Sequence, residues 1–395
     1  MKNWYENFTA QPHQPFFANG IIAFILFTGL IFAVYGGFLN INAGIFDFHA
    51  YIFIFVVFIQ FFLGFLFVVF PRFLMQAVIE PRVYMAHFWG YFFVTYAFLI
   101  SFLLGFGFDV LLVLNLLVQI FGFKLLFDIH KRSIIANKYD TKWVLIGFGC
   151  GLIFNAIFIL SKFIPSLTNF AINGGFYLFL FIIVFAISQR MVPFFTSVKV
   201  QGYVIKRTEN FMPILFGLLF LRVVVLSFFS AKFLLLTDIA LFVLFVREFY
   251  IWRLPIFKTS AIMWVLYLSL YWIPVGFAIS ILEGINDIFS LGFVFEKTSL
   301  HTFAVGYFLT ILIGFGTRVV LGHSGQTPHA DAFTTAIFVF IQVVVFARLF
   351  AGFSLNFSLD YSFFINFSAV LMLIALLVWS ARYLPILIKG FKPKP

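Results

Sequence analysis

Residues 48–70, FHAYIFIFVVFIQFFLGFLFVVF, run for 23 positions without a charged side chain and stop at Pro71 and Arg72. At 1.5 Å of rise per residue, a helix of that length crosses the ~30 Å hydrocarbon layer of a bilayer. Its apolar residues are consecutive instead of alternating, which excludes a transmembrane β-barrel, whose strands alternate over about ten residues. Working outward, comparable runs recur at about 16–39, 84–104, 108–127, 143–163, 172–189, 213–229, 231–247, 260–281, 300–321, 332–352 and 362–387, each bounded by Gly, Pro or charge. Together these make twelve spans. The expected fold class is all-α and integral to a membrane, with residues 1–395 forming a single twelve-helix transmembrane domain.

Composition agrees. Apolar residues make up 64% of the 395 positions and charged residues only 10%, against about 25% charged in soluble domains. Phe alone occupies 67 positions, a lipid-facing filler that carries no mechanism by itself. The single Cys150 excludes an intrachain disulfide framework and any thiolate-built zinc or iron–sulfur site, so a bound metal has to use His. A net charge of +11 points to anionic headgroups and not to nucleic acid in a chain this apolar. The first 19 residues are polar and carry Pro12 and Pro15, so no cleavable signal peptide is expected.

Orientation follows from the basic residues. Twenty of the 25 Lys and Arg fall in alternate loops on one side; the other side holds Lys162, Lys232 and Lys297, and Arg222 and Arg348 lie within spans. By the positive-inside rule both termini are cytoplasmic. An eleven- or thirteen-helix count would scramble this asymmetry. The longest connection, from about Gln189 to Met212, is basic and is expected to be a cytoplasmic loop. Spans two, six and ten each end with an Arg, in FPR (Arg72), SQR (Arg190) and GTR (Arg318), spaced by roughly one four-helix unit. That spacing suits a three-fold pseudo-repeat of four-helix units, although cytoplasmic helix ends also attract Arg without any repeat.

Seven His are sorted by this topology. His49 opens span two and His301 opens span ten, both near the non-cytoplasmic edge. Two neutral imidazoles at similar depth on different helices are what axial ligation of a haem iron requires; two unrelated interfacial side chains are the alternative. Arg348, on span eleven near the same face, could pair with haem propionates or simply snorkel. His13, His87, His323 and His329 map to the cytoplasmic side, with His130 in the basic loop after span four. A copper site could draw two or three imidazoles from His13, His87 and His323, though loop His are common. Arg222 and Asp238 lie at equal distances from a turn near Ser230, so an antiparallel hairpin brings them to one depth as an ion pair; a proton or ion pathway is the functional alternative. The chain carries no phosphate-binding Gly-Lys-Ser/Thr loop, no Gly-x-Ser-x-Gly elbow and no His-Glu-x-x-His.

The stretch His301–Gly325, HTFAVGYFLTILIGFGTRVVLGHSG, resembles the HAL-x-x-G … TR-x-x-LGH-[ST]-G pattern of the NnrS family, matching at His301, Gly306, Thr317, Arg318, Leu321, Gly322, His323 and Gly325. PHQPFF (12–17), GFLFVVFP (64–71) and RMVPFFT (190–196) resemble further family segments. The family often reads WHAHE at the head of span two; here FHAYI keeps His49 and puts Tyr51 and Ile52 where a second His and an acid would stand, which disfavours a copper site using that second imidazole.

The resemblance implies a haem- and copper-containing protein of the bacterial cytoplasmic (inner) membrane, with b-type haem, that helps the cell tolerate or process nitric oxide, with nitric oxide and an electron donor as possible partners. The helix pattern also resembles the catalytic subunit of haem–copper oxidases, at the level of fold alone. A multi-pass permease using Arg222 and Asp238 is the alternative from another class, and a membrane assembly or scaffolding factor a third.

Overall fold

The computed structural model describes residues 2–39, 44–229 and 231–392. Ser230, on which the expected hairpin turn was centred, lies outside them. Secondary structure is helical throughout, with no strand among the described residues. After a short amphipathic α1 (Lys2–Phe8) come α2 (His13–Tyr35), α3 (Ile45–Phe73), α4 (Pro81–Leu104), α5 (Phe108–Arg132), α6 (Tyr139–Leu160), α7 (Pro165–Lys199), α8 (Phe211–Phe228), α9 (Leu234–Trp252), α10 (Ala261–Phe289), α11 (Thr298–His323), α12 (Ala332–Phe357) and α13 (Tyr361–Lys389).

Eleven of these helices, all but α1 and α9, are long and apolar enough to cross a membrane. The helix at the expected eighth span, α9, runs for 19 residues but carries Asp238, Arg247 and Glu248. Most observed helices overrun the expected spans at one end or both, while α2 and α6 stop short of them, at Tyr35 and Leu160. The largest difference is at α7, which continues through Pro193 to Lys199, so the loop that follows is shorter than the sequence suggested. Pro193, six residues before the helix end, removes the N–H that would otherwise bond the Gln189 carbonyl.

Three helices stand apart. The apolar windows of α3, α7 and α11 are 89%, 83% and 78% buried, against 61% or less for every other candidate span. The same three contain π-helical segments: Phe53–Val57, Gly175–Phe181 and Thr302–Leu309. A π segment shifts the register of the side chains that follow and is commonly found at functional positions. In sequence order these are spans two, six and ten, the ones expected to end in Arg72, Arg190 and Arg318; α7 and α11 continue past their Arg to Lys199 and His323.

The chain folds as two compact units, and neither is a continuous piece of sequence. The first comprises Met1–Ala186, His323–Gln326 and Ser380–Pro395; the second comprises Ile187–Gly322 and Thr327–Trp379. In lipid the hydrophobic effect does not hold helices together, so close packing and polar contacts do. Within the first unit, Gly64 lies so close to α2 that an added Cβ would stand 2.8 Å from the Phe17 ring, and one on Gly151 of α6 would stand 2.6 Å from the Phe179 ring of α7.

Buried polar side chains complete that core. Asn115 donates to the Tyr51 hydroxyl (2.9 Å), Tyr51 donates to Asn155 Oδ1 (3.0 Å), and Asn155 donates to Gln119 Oε1 (3.0 Å). Gln119 Nε2 and Asn115 Nδ2 also reach the Phe55 carbonyl, at 2.7 and 3.2 Å. That carbonyl belongs to the π segment of α3, so side chains of α5 satisfy a backbone acceptor where the regular ladder is interrupted.

In the second unit Arg222 of α8 and Asp238 of α9 are buried together, with Nε 2.5 Å from Oδ1. Ser280 of α10 closes the group: its hydroxyl donates to Asp238 Oδ2 (2.5 Å) and accepts from Arg222 Nη2 (3.1 Å). Both carboxylate oxygens are thereby engaged. Glu248 is likewise buried, and it accepts from Thr208 Oγ1 (2.6 Å) and the Trp252 indole (2.8 Å).

Candidate functional site

The second unit holds His301 with Arg348, and the first holds His49 and, separately, His13 with His323. In the second unit, His301 is the last residue before the π segment of α11. Its Nδ1 lies 2.9 Å from the Lys297 carbonyl, one turn back. A carbonyl can only accept, so the proton sits on Nδ1 and Nε2 keeps its lone pair. Arg348 of α12 places Nη2 3.1 Å from both Nδ1 and Nε2, so the guanidinium lies against the face of the ring. A guanidinium and an imidazole on two helices of this unit are thus brought into direct contact.

In the first unit, His49 stands on α3 one turn ahead of the π segment, its ring 5.2 Å from that of Phe53. Tyr51, two residues on, is buried and committed to Asn115 and Asn155, a structural role in place of a metal ligand.

The same unit brings together two imidazoles that the sequence separates by 310 positions. His13, the first residue of α2, is buried, and its Nδ1 has no hydrogen-bond partner. The His323 ring lies 4.9 Å away between centroids. Gln11 fixes the protonation of His323: its Nε2 donates to the carbonyls of His323 and Phe391, both at 3.0 Å, so the atom 3.0 Å from His323 Nδ1 is its acceptor oxygen. His323 therefore carries its proton on Nδ1 and leaves Nε2 bare. Sequence reasoning missed Gln11; its place in PHQPFF's preceding residue held the only hint.

The other histidines are engaged elsewhere. His87 faces two backbone carbonyls, Val83 at 2.9 Å and Phe121 at 3.3 Å. His130 pairs with Thr141 Oγ1 at 3.1 Å, and His329 lines a surface cleft. Among the described residues no three His, Cys, Asp or Glu side chains gather to hold a metal ion, so His13 and His323 form a pair that His87 does not join.

The NnrS family pattern, described as NnrS protein, matches residues 7–390. The chain belongs to the NnrS family. The match takes in α2 to α13 and therefore every histidine discussed above, together with Gln11 and Arg348. No curated protein matches the chain. In this NnrS chain, the family motif beginning at His301 spans the π segment of α11, Arg318 stacked 3.8 Å over the Phe195 ring, and His323 at its end.

Proposed function

We propose that this chain is a haem-binding protein of the nitric oxide response in the bacterial cytoplasmic membrane, with His49 and His301 as its iron ligands. Membership of the NnrS family fits a membrane protein related to nitric oxide. One positional observation carries the rest: both histidines stand within a turn of a π segment, on two of the three most enclosed helices. Bound b-type haem would supply an iron that takes up nitric oxide or exchanges electrons with a donor.

The chain's own residues prepare for this. Lys297 holds the His301 ring with Nε2 outward, as second-shell carbonyls do for metal-bound histidines. Arg348, already beside that ring, offers a guanidinium to propionate carboxylates. His13 and His323 present a bare imidazole nitrogen each, a donor set that suits monovalent copper.

The same reading takes α9 as a twelfth crossing, because Arg222 and Ser280 neutralise and satisfy Asp238 within the apolar layer. Both termini are then cytoplasmic. It also takes α3, α7 and α11 as corresponding members of three four-helix units, supported by their shared π segments and burial. The closed contact of Arg222, Asp238 and Ser280 supports a structural pair over a permease pathway.

Haem content tests the assignment, measured as pyridine haemochrome on protein purified from haem-supplemented cells. Wild type should carry stoichiometric haem and His301→Ala should lose it, while Arg348→Gln should retain the ligand but release haem faster. Full haem in both His49→Ala and His301→Ala would refute it.

A further inference from the structure

A cleft of about 340 Å³ in the second unit is lined by Lys199, Lys258, Thr259, Ser260, Thr327 and His329. None of these takes part in the group around His301. Every lining residue lies at a helix end: Lys199 closes α7, Lys258 to Ser260 lead directly into α10, and Thr327 and His329 lie between α11 and α12. On the topology proposed above, the cleft lies on the cytoplasmic side beyond the apolar spans, near the level of lipid headgroups.

Its lining has a definite chemistry. Two lysines, a histidine and the hydroxyls of Ser260 and Thr327 share the lining, the Thr259 hydroxyl is turned to the Pro255 and Ile256 carbonyls, and no carboxylate is among them. Both lysines are exposed and extend into open space. Ser260, part of the lining, is the N-cap of the 29-residue α10, and its side chain makes no capping bond at the positive end of that helix. A tetrahedral anion with several oxygens satisfies point-charge ammoniums and hydroxyl donors together.

From this cleft we infer a binding site for a phosphate group, carried either by an anionic lipid headgroup or by a soluble phosphate compound. The volume accommodates a phosphate with a small substituent.

The test uses full-length protein in non-ionic detergent. Wild type, a Lys199→Gln/Lys258→Gln variant and a Lys131→Gln/Arg132→Gln control from the end of α5 are titrated with phosphatidylglycerol by native mass spectrometry. In parallel they are titrated with inorganic phosphate and pyrophosphate by calorimetry. The exposed positions leave the fold intact, which a melting curve verifies. The expected result is lipid binding at least about tenfold weaker in the cleft variant and unchanged in the control. Binding of phosphate or pyrophosphate with the same dependence, and none of lipid, assigns the site to a soluble compound. Equal loss in cleft and control variants, or binding of neither probe, overturns the site.

Discussion

At the scale of single residues, the second unit makes the sharpest demand at Asp238. Removing one partner of a buried ion pair leaves the other charge uncompensated, at a cost of about 3 kcal/mol. Asp238→Asn should therefore lower stability by about that amount in thermal or denaturant unfolding in detergent, and Arg222→Leu/Asp238→Leu should recover most of the loss. Equal stability of Asp238→Asn and wild type would remove the pair's structural role. Two charges inside apolar spans at matching distances from a turn made this contact legible in the sequence. Ser280 was not, because a midspan serine satisfies itself on its own helix as readily as on another. The histidines were legible as types and sides, but not as partners. Nothing in the spacing of His13 and His323 indicates that Gln11 holds one ring with its Nε2 bare.

At the scale of elements, helix crossings depend on what small residues leave out. A leucine at Gly151 must displace the Phe179 ring, which an added Cβ would meet at 2.6 Å, whereas an added Cβ at Gly149 on the same helix meets nothing within 4 Å. Gly151→Leu should cost about 1–3 kcal/mol and Gly149→Leu should be close to neutral, both read as shifts in unfolding midpoint. Equal shifts would contradict the packing of α6 on α7. The helices themselves were easy to read, since the bilayer's thickness imposes a minimum apolar run and punctuation by Gly, Pro and charge marks its limits. Their ends were read short: α7 was expected to stop near Gln189 and continues past Pro193 to Lys199. The π segments left no trace in composition, because a change of hydrogen-bond register exchanges no residue type for another. Only the structure shows that they fall on the three helices that carry Arg72, Arg190 and Arg318, of which Arg190 and Arg318 lie inside their helices and not at the ends.

At the scale of the whole molecule, the distribution of basic residues makes a topological prediction. Reporter fusions within 291–296, between α10 and α11, should read as non-cytoplasmic, and fusions within 200–208, after α7, as cytoplasmic. The reverse, or the same side for both, would break the twelve-span orientation on which the placement of His49 and His301 rests. The central claim is that these two histidines hold haem iron. Its most direct measurement is the absorbance spectrum of purified wild type, His49→Ala and His301→Ala, oxidised and dithionite-reduced, with and without nitric oxide. A Soret band with sharp reduced α and β peaks in wild type, lost or broadened in each variant and shifted by nitric oxide, is the predicted outcome. A colourless wild type that takes up no added haem, or variants with an unaltered spectrum, would contradict it.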